Sequence, residues 1–406
     1  MGESVLPLRL KWPLYLLAAF PVADYFLHIY PWGIIGAAWD KLVFILLAFY
    51  AIRARMAGVQ RKFYPTQRYI IFIAVLGLAY MLMDVGYLTV AFAGWRVDFL
   101  YMLFALVLPY VVEKEDIVPL LKFMVLIGFL MAIHGVYEYI MRAPIPSAWI
   151  NLGEHVRTRV YSLFGSPNIF GSYMAFIAPN AMGLALYEKK RGPRLFYGAA
   201  AIVSMMTLVF TFTRGAWVAF FVGALVFTWL LDKRLTIIAI VLTVLAIFFV
   251  PPIHARMDQF LSPVYWVKTE QSGRIARWGH AYDQMLKNPL FGAGLGRYGG
   301  AVASKYFGII YVDNYYAKTL AETGLIGILA FFGLLFVYLR DVWRVLKRTA
   351  DTRMKYLFIG VFSSLVVLVS HNAVENIFEV PSMNFLFWMV GTLVLIYGAE
   401  GEMNRD

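Results

Sequence analysis

Apolar runs of about 20 residues recur along the chain and constrain its fold more than any other feature. A bilayer core of roughly 30 Å takes about 20 apolar residues per helical crossing. A helix also satisfies its own backbone hydrogen bonds there. A membrane barrel would show alternating ten-residue strands instead, and the sequence has no such pattern. Only 15% of the 406 residues are charged, against about 25% in a soluble protein. The chain therefore reads as an all-α, polytopic membrane protein. About twelve spans are expected, near 12–30, 34–52, 69–92, 97–112, 117–140, 167–187, 195–213, 215–231, 235–251, 323–339, 355–374 and 383–399. The first run lacks a small-residue cleavage site and reads as a span, not a signal peptide. Residues 1–251 then hold nine spans, 252–322 form one large outer loop with short amphipathic helices, and 323–406 hold three more.

Basic residues set the orientation, because short loops rich in Lys and Arg stay in the cytoplasm. Arg53, Arg55, Arg61, Lys62 and Arg68 follow the second span, and Lys189, Lys190, Arg191 and Arg194 follow the sixth. Lys233 and Arg234 follow the eighth, and Arg340, Arg344, Lys347, Arg348, Arg353 and Lys355 follow the tenth. All fall on one side if both termini are cytoplasmic. Much of the net charge of +12 is thus a topology signal and not a nucleic-acid footprint. With no cysteine in the chain, disulfides and thiolate metal sites are excluded.

Two outer segments, 141–167 and 252–323, are where chemistry outside the bilayer is expected. Arg214, in TFTRGAWVAF (211–220), stands at an outer helix end between two apolar runs. It reads either as a snorkelling interfacial arginine or as an anion ligand facing a cavity. Arg157 and Arg159 precede a Gly165-Ser166-Pro167 turn and a helix start containing Asn168. Free N–H groups and the dipole make such a start an anion site, although a plain basic loop would look the same. In 272–300, Ile275, Trp278, Tyr282 and Met285 recur at helical spacing behind a candidate N-cap, Ser272. Arg274 and Arg277 are three apart and so share a face. GAGLG (292–296) has no strand before it and is expected to make a tight turn or a close helix approach, with a phosphate cradle as the alternative. Asp313 either caps the following helix or serves as a general base. His371 and Glu375 lie one helical turn apart, without a third metal ligand. They read as a hydrogen-bonded structural pair, with His371 as a backup base. Asp84, Lys41, His134 and Glu138 are polar residues within apolar runs and receive no role.

These segments resemble the bacterial O-antigen ligase and O-antigen polymerase family of membrane glycosyltransferases. The likeness rests on four motifs in order. They are an arginine before F-x-x-P-N (Arg159 to Asn168), T-x-T-R-G-A-W (211–217), S-G-R-x-x-x-W leading to N-P-L-F-G-A-G-L-G (272–296), and D-N-Y-Y-x-x-x-L-A-E-T-G-L-I-G (313–327). The resemblance implies a multi-spanning, GT-C-like transferase of the bacterial inner membrane. It would move a glycan from an undecaprenyl-diphosphate carrier to a glycan or lipid-linked acceptor on the outer face, inverting the anomeric centre without metal or cofactor. It implies that Arg159, Arg214 and Arg274 engage the diphosphate. Arginine suits this role, since it stays charged and offers a planar donor fork. On this reading Asp313, Arg214 and Arg274 are catalytic, and Arg157, Arg159, Asn168, Arg277, Asn314, Glu322 and His371 bind substrate.

One departure bears on the activity. Ligases of this family begin the fourth motif with His-Asn, and here the pair is Asp313-Asn314, as in members that resemble polymerases. A repeat-unit polymerase, working with a chain-length regulator, is the first reading, and a ligase the second. A secondary transporter of an organic anion is the contrasting class. Transporters are often built from two related halves, and this sequence shows no such symmetry.

Overall fold

The computed structural model describes residues 11–29, 33–145, 158–271 and 273–403. Among them the chain is all-α. Eight helices are long and apolar enough to cross a bilayer, or ten if each of two bent pairs is one crossing. The protein is thus a polytopic membrane protein.

Departures from the expected spans have local causes. The first is two short helices, α1 (Trp12–Ala18) and α2 (Phe20–Ile29), interrupted at Ala19. α3 (Ile34–Met56) covers the second. α4 (Pro65–Met83) stops before Asp84, whose carboxylate pairs with Arg297 at 3.2 Å. The third and fourth spans therefore divide at Asp84, earlier than expected. A 3-10 turn (Val85–Tyr87) leads into α5 (Leu88–Phe99), and α6 (Phe104–Val111) completes that crossing past a 42° bend. α7 (Lys114–Ile140), α8 (Pro167–Tyr187), α9 (Arg191–Phe210) and α10 (Arg214–Leu231) lie on the next four expected spans. α11 (Lys233–Phe249) ends at a Pro-Pro pair, which cannot continue its hydrogen-bond ladder. The chain turns by 83° there into α12 (Pro251–Leu261). α13 (Pro263–Gln271), α14 (Arg274–Lys287) and α15 (Ala301–Phe307) complete the segment between α11 and the next long helix. α16 (Tyr315–Arg348), α17 (Thr352–His371) and α18 (Pro381–Met403) close the chain. α8 is buried along most of its length, packed on α9, α10 and α17.

α16 begins eight residues before its expected start at 323 because two helices join across a break at Gly324 (φ 63°, ψ −163°). Only glycine occupies that conformation comfortably. The break leaves backbone groups without helical partners, and residues 289–294 supply them. Leu325 N donates to Pro289 O (2.8 Å), Ala293 N to Ala321 O (2.9 Å) and Gly294 N to Glu322 O (2.9 Å). A Cβ on Gly324 would lie 2.5 Å from the Leu290 carbonyl carbon, and one on Gly292 2.5 Å from that of Glu322. The glycine-rich run thus docks into the break of a membrane helix by backbone contact.

Candidate functional site

α14 turns Arg274 and Arg277 towards the stretch that precedes α16. Arg277 Nη1 donates to Tyr311 O (2.6 Å) and lies 3.0 Å from Asp313 Oδ2. Arg274 Nε lies 3.3 Å from the same oxygen, while its Nη2 lies 3.3 Å from Glu375 Oε2. Trp278 Nε1 donates to Val312 O (3.1 Å). Asn314, not Asp313, is the cap of α16: its Oδ1 accepts from Tyr316 N and Ala317 N, both at 3.0 Å. Asp313, at φ +53°, is in the left-handed region, which costs a non-glycine residue energy and is found where surroundings impose it.

The network continues through Glu375. Its Oε2 accepts from Asn168 Nδ2 (2.6 Å), one residue inside α8. Asn168 Oδ1 accepts in turn from Arg159 Nη2 (3.0 Å) and Thr213 Oγ1 (3.3 Å). Arg159 Nε donates to Thr211 O (3.0 Å). A path of charge and hydrogen bonds thus runs Arg159, Asn168, Glu375, Arg274, Asp313, Arg277, joining the first, third and fourth motifs, and the second attaches to it through Thr211 and Thr213. Arg159 is 7% exposed and turned onto the 211–213 turn, and this path connects it to Asp313. Arg214 opens α10 next to Thr213, with its guanidinium carbon 4.6 Å from the Tyr265 ring centre and 5.9 Å from that of Phe260. Arg256 Nη2 donates to Phe212 O (3.2 Å), fastening α12 to the same turn.

Burial pushes the Glu375 carboxyl up to about 7, with the Asp313 charge adding to the rise and Arg274 and Asn168 opposing it. Two guanidinium groups and two carboxylates are thereby set around one point. Such a site can take an anion by exchanging carboxylate for phosphate oxygens on the arginines. It can also accept a proton on the carboxylate set free.

Other expected site residues lie elsewhere. Glu322 is 1% exposed, with Oε2 2.9 Å from Lys318 Nζ and Oε1 accepting from Tyr298 N (3.1 Å). Lys318 also meets Asp98 (3.0 Å) and Glu379 (3.5 Å), so one buried ammonium is shared by three carboxylates. His371 is 1% exposed and hydrogen-bonded to Ser172, so it and Glu375 have separate partners. Arg157 and Ser272 lie outside the described residues, and Gly273 precedes α14. Lys41 pairs with Asp40 (2.7 Å). Glu138 Oε2 accepts from Tyr161 N and Ser162 N (both 2.9 Å), and His134 Nδ1 bonds Ser162 Oγ (3.0 Å), bracing the turn ahead of α8.

The sequence reading did not place Glu375 or Thr213 in the site. The signal for Thr213 was its place inside the second motif, beside Arg214. For Glu375 it was an acidic side chain among apolar neighbours next to His371.

Residues 198–332 match the O-antigen ligase family model, the family that the motifs resemble. Comparison with curated proteins gives no match. The matched segment carries Arg214, Arg274, Arg277 and Asp313, while Arg159, Asn168 and Glu375 join from outside it. The match supports a membrane enzyme with a glycan-transferring function in O-antigen synthesis, for which the family implies a lipid-linked glycan donor and an acceptor.

Proposed function

We propose that this protein is an O-antigen repeat-unit polymerase. It moves a growing glycan from undecaprenyl diphosphate to a hydroxyl of the next lipid-linked unit, at the outer face of the inner membrane. The observation that carries the reading is Arg274, held between Asp313 and Glu375 with Arg277 on the same carboxylate. The donor's diphosphate exchanges with these carboxylates on the two guanidinium groups, and Arg214 adds charge from the start of α10. Asp313, released from its ion pairs, takes the proton of the acceptor hydroxyl. The acceptor oxygen bonds to the anomeric carbon from the face opposite the leaving group, and the bond from that carbon to the diphosphate oxygen breaks. Negative charge then grows on the diphosphate, where preorganised donors stabilise it.

The basic loops support this orientation, with both termini in the cytoplasm and the Arg274 site outside. The Asp313-Asn314 pair favours polymerase over ligase, because the ligases that this chain resembles have His-Asn there. Reconstitution with undecaprenyl-diphosphate repeat units tests the reading. Ladders made with no other acceptor support polymerisation. Single transfer to a lipid A core supports ligation, and absence of any transfer refutes both.

A further inference from the structure

We propose that Asn376 is the positioning residue that holds Asp313 in its strained, site-facing conformation. The proposal rests on the transfer reading for what Asp313 does, and on geometry alone for how it is held. Asp313 sits at φ +53°, so the chain on either side must be fastened to keep it there. On the N-terminal side, Val312 N donates to Gly299 O (2.9 Å). On the C-terminal side, Asn314 N donates to Asn376 Oδ1 (3.0 Å). The same carboxamide reaches back to the other strand of the turn, because Asn376 Nδ2 donates to Gly299 O (3.0 Å) and to Glu379 Oε2 (3.1 Å).

One side chain, 5% exposed, therefore ties both flanks of Asp313 to a fixed base. That base is built from buried charge. Glu379 accepts from Ala301 N (3.1 Å) and lies 3.5 Å from Lys318, which also binds Asp98 and Glu322. The position calls for one acceptor and two donors on a short arm. Asparagine supplies both; an aspartate of the same shape supplies only acceptors and would aim one at a carboxylate.

Asn376→Ala and Asn376→Asp in the full-length protein test this. For Asn376→Ala, kcat for repeat-unit transfer should fall at least tenfold with donor KM within twofold of wild type. In Asn376→Asp the new carboxyl faces Glu379 of the 3-10 turn Ile377–Glu379, which lies 3.5 Å from Lys318 of α16; Lys318 in turn pairs with Asp98 of α5 and Glu322 of α16, and Glu375, the preceding residue, pairs with Arg274. Its kcat relative to wild type should rise as pH falls, because protonation restores a donor. A simple cavity lacks that profile, and thermal unfolding of Asn376→Asp over the same pH range separates it from a buried carboxyl that merely destabilises the fold as pH rises. Independently of activity, the Asn314 amide should exchange with deuterium at least tenfold faster in Asn376→Ala, with amides in the middle of α16 unchanged. Wild-type kcat in Asn376→Ala, a pH profile of Asn376→Asp parallel to wild type, or unchanged Asn314 exchange each overturns the proposal. If the wild-type protein transfers no glycan, the transfer reading alone fails, and Asn314 exchange still decides whether Asn376 holds the turn. Should Asn376→Ala fail to fold, the near-isosteric Asn376→Asp carries both measurements.

Discussion

Glu375 Oε2 lies 3.3 Å from Arg274 Nη2, although the two residues are 101 positions apart. Arg274 thereby holds two carboxylates at once, Asp313 through Nε and Glu375 through Nη2. The guanidinium is neutralised from within the fold, so on the proposed reading an entering diphosphate competes for it. That competition links anion binding to the freeing of a base, and it gives the substitutions below opposite signs.

Arg274→Ala is expected to lower transfer at least about a hundredfold, the scale of losing one preorganised oxyanion donor. Arg274→Lys should not restore it, because an ammonium lacks the planar fork that spans two partners. Single-turnover transfer by purified, monodisperse variants checks both.

Asp313→Asn is nearly isosteric and removes the charge. Transfer should fall by about 10²–10⁴, the usual worth of a positioned base, while donor binding stays equal or tightens as both arginines lose a competitor. Titration with a non-reactive donor analogue measures the second effect. Weaker binding would show that Asp313 does not compete with the diphosphate.

Glu375 sets a pH dependence of stability. Its carboxyl is raised from 4.5 to about 7, chiefly by burial, so the folded protein holds this proton more tightly than the unfolded chain. The stabilisation is complete below the ordinary carboxylate value and is lost as pH rises through about 7. Glu375→Gln should flatten that slope. Thermal unfolding in nanodiscs from acid to mildly alkaline pH, for both proteins, makes the comparison.

Lys318→Met would leave Asp98, Glu322 and Glu379 without the ammonium they share. Removing one partner from a buried ion cluster costs about 3–5 kcal/mol. A marked fall in Tm should follow; a loss within about 1 kcal/mol, as for an exposed pair, would mean that water screens the cluster.

Gly324→Ala forces a side chain into a conformation that only glycine adopts readily, a penalty on the order of 1–3 kcal/mol. It also drives a Cβ into the Leu290 carbonyl. Lower Tm together with faster amide exchange at Ala293 and Gly294 is the expected signature.

Helix-level information was dense in the sequence. The apolar runs placed α8 and α10 within a residue or two, and the three-residue spacing of Arg274 and Arg277 put both on one partner, Asp313. What periodicity does not carry is tertiary choice. Asp84 ends a helix because Arg297, far along the chain, meets it. Arg159 turns onto the 211–213 turn because Asn168 and Thr211 are within reach there. Glu322 looked like a ligand within a motif, yet it pairs with Lys318 one helical turn away and accepts from Tyr298 N. Asn314 and Asp313 are neighbours of similar shape, and only the backbone angles decide that the first caps and the second faces the arginines.

The docking of residues 289–294 into the break at Gly324 has a consequence for engineering. The two stretches complete each other's main-chain bonding, so they make up one exchangeable cassette. A chimera that imports one half from a relative while keeping the native other half would strand amides and carbonyls beside the bilayer. A chimera that imports both would carry its own complement with it.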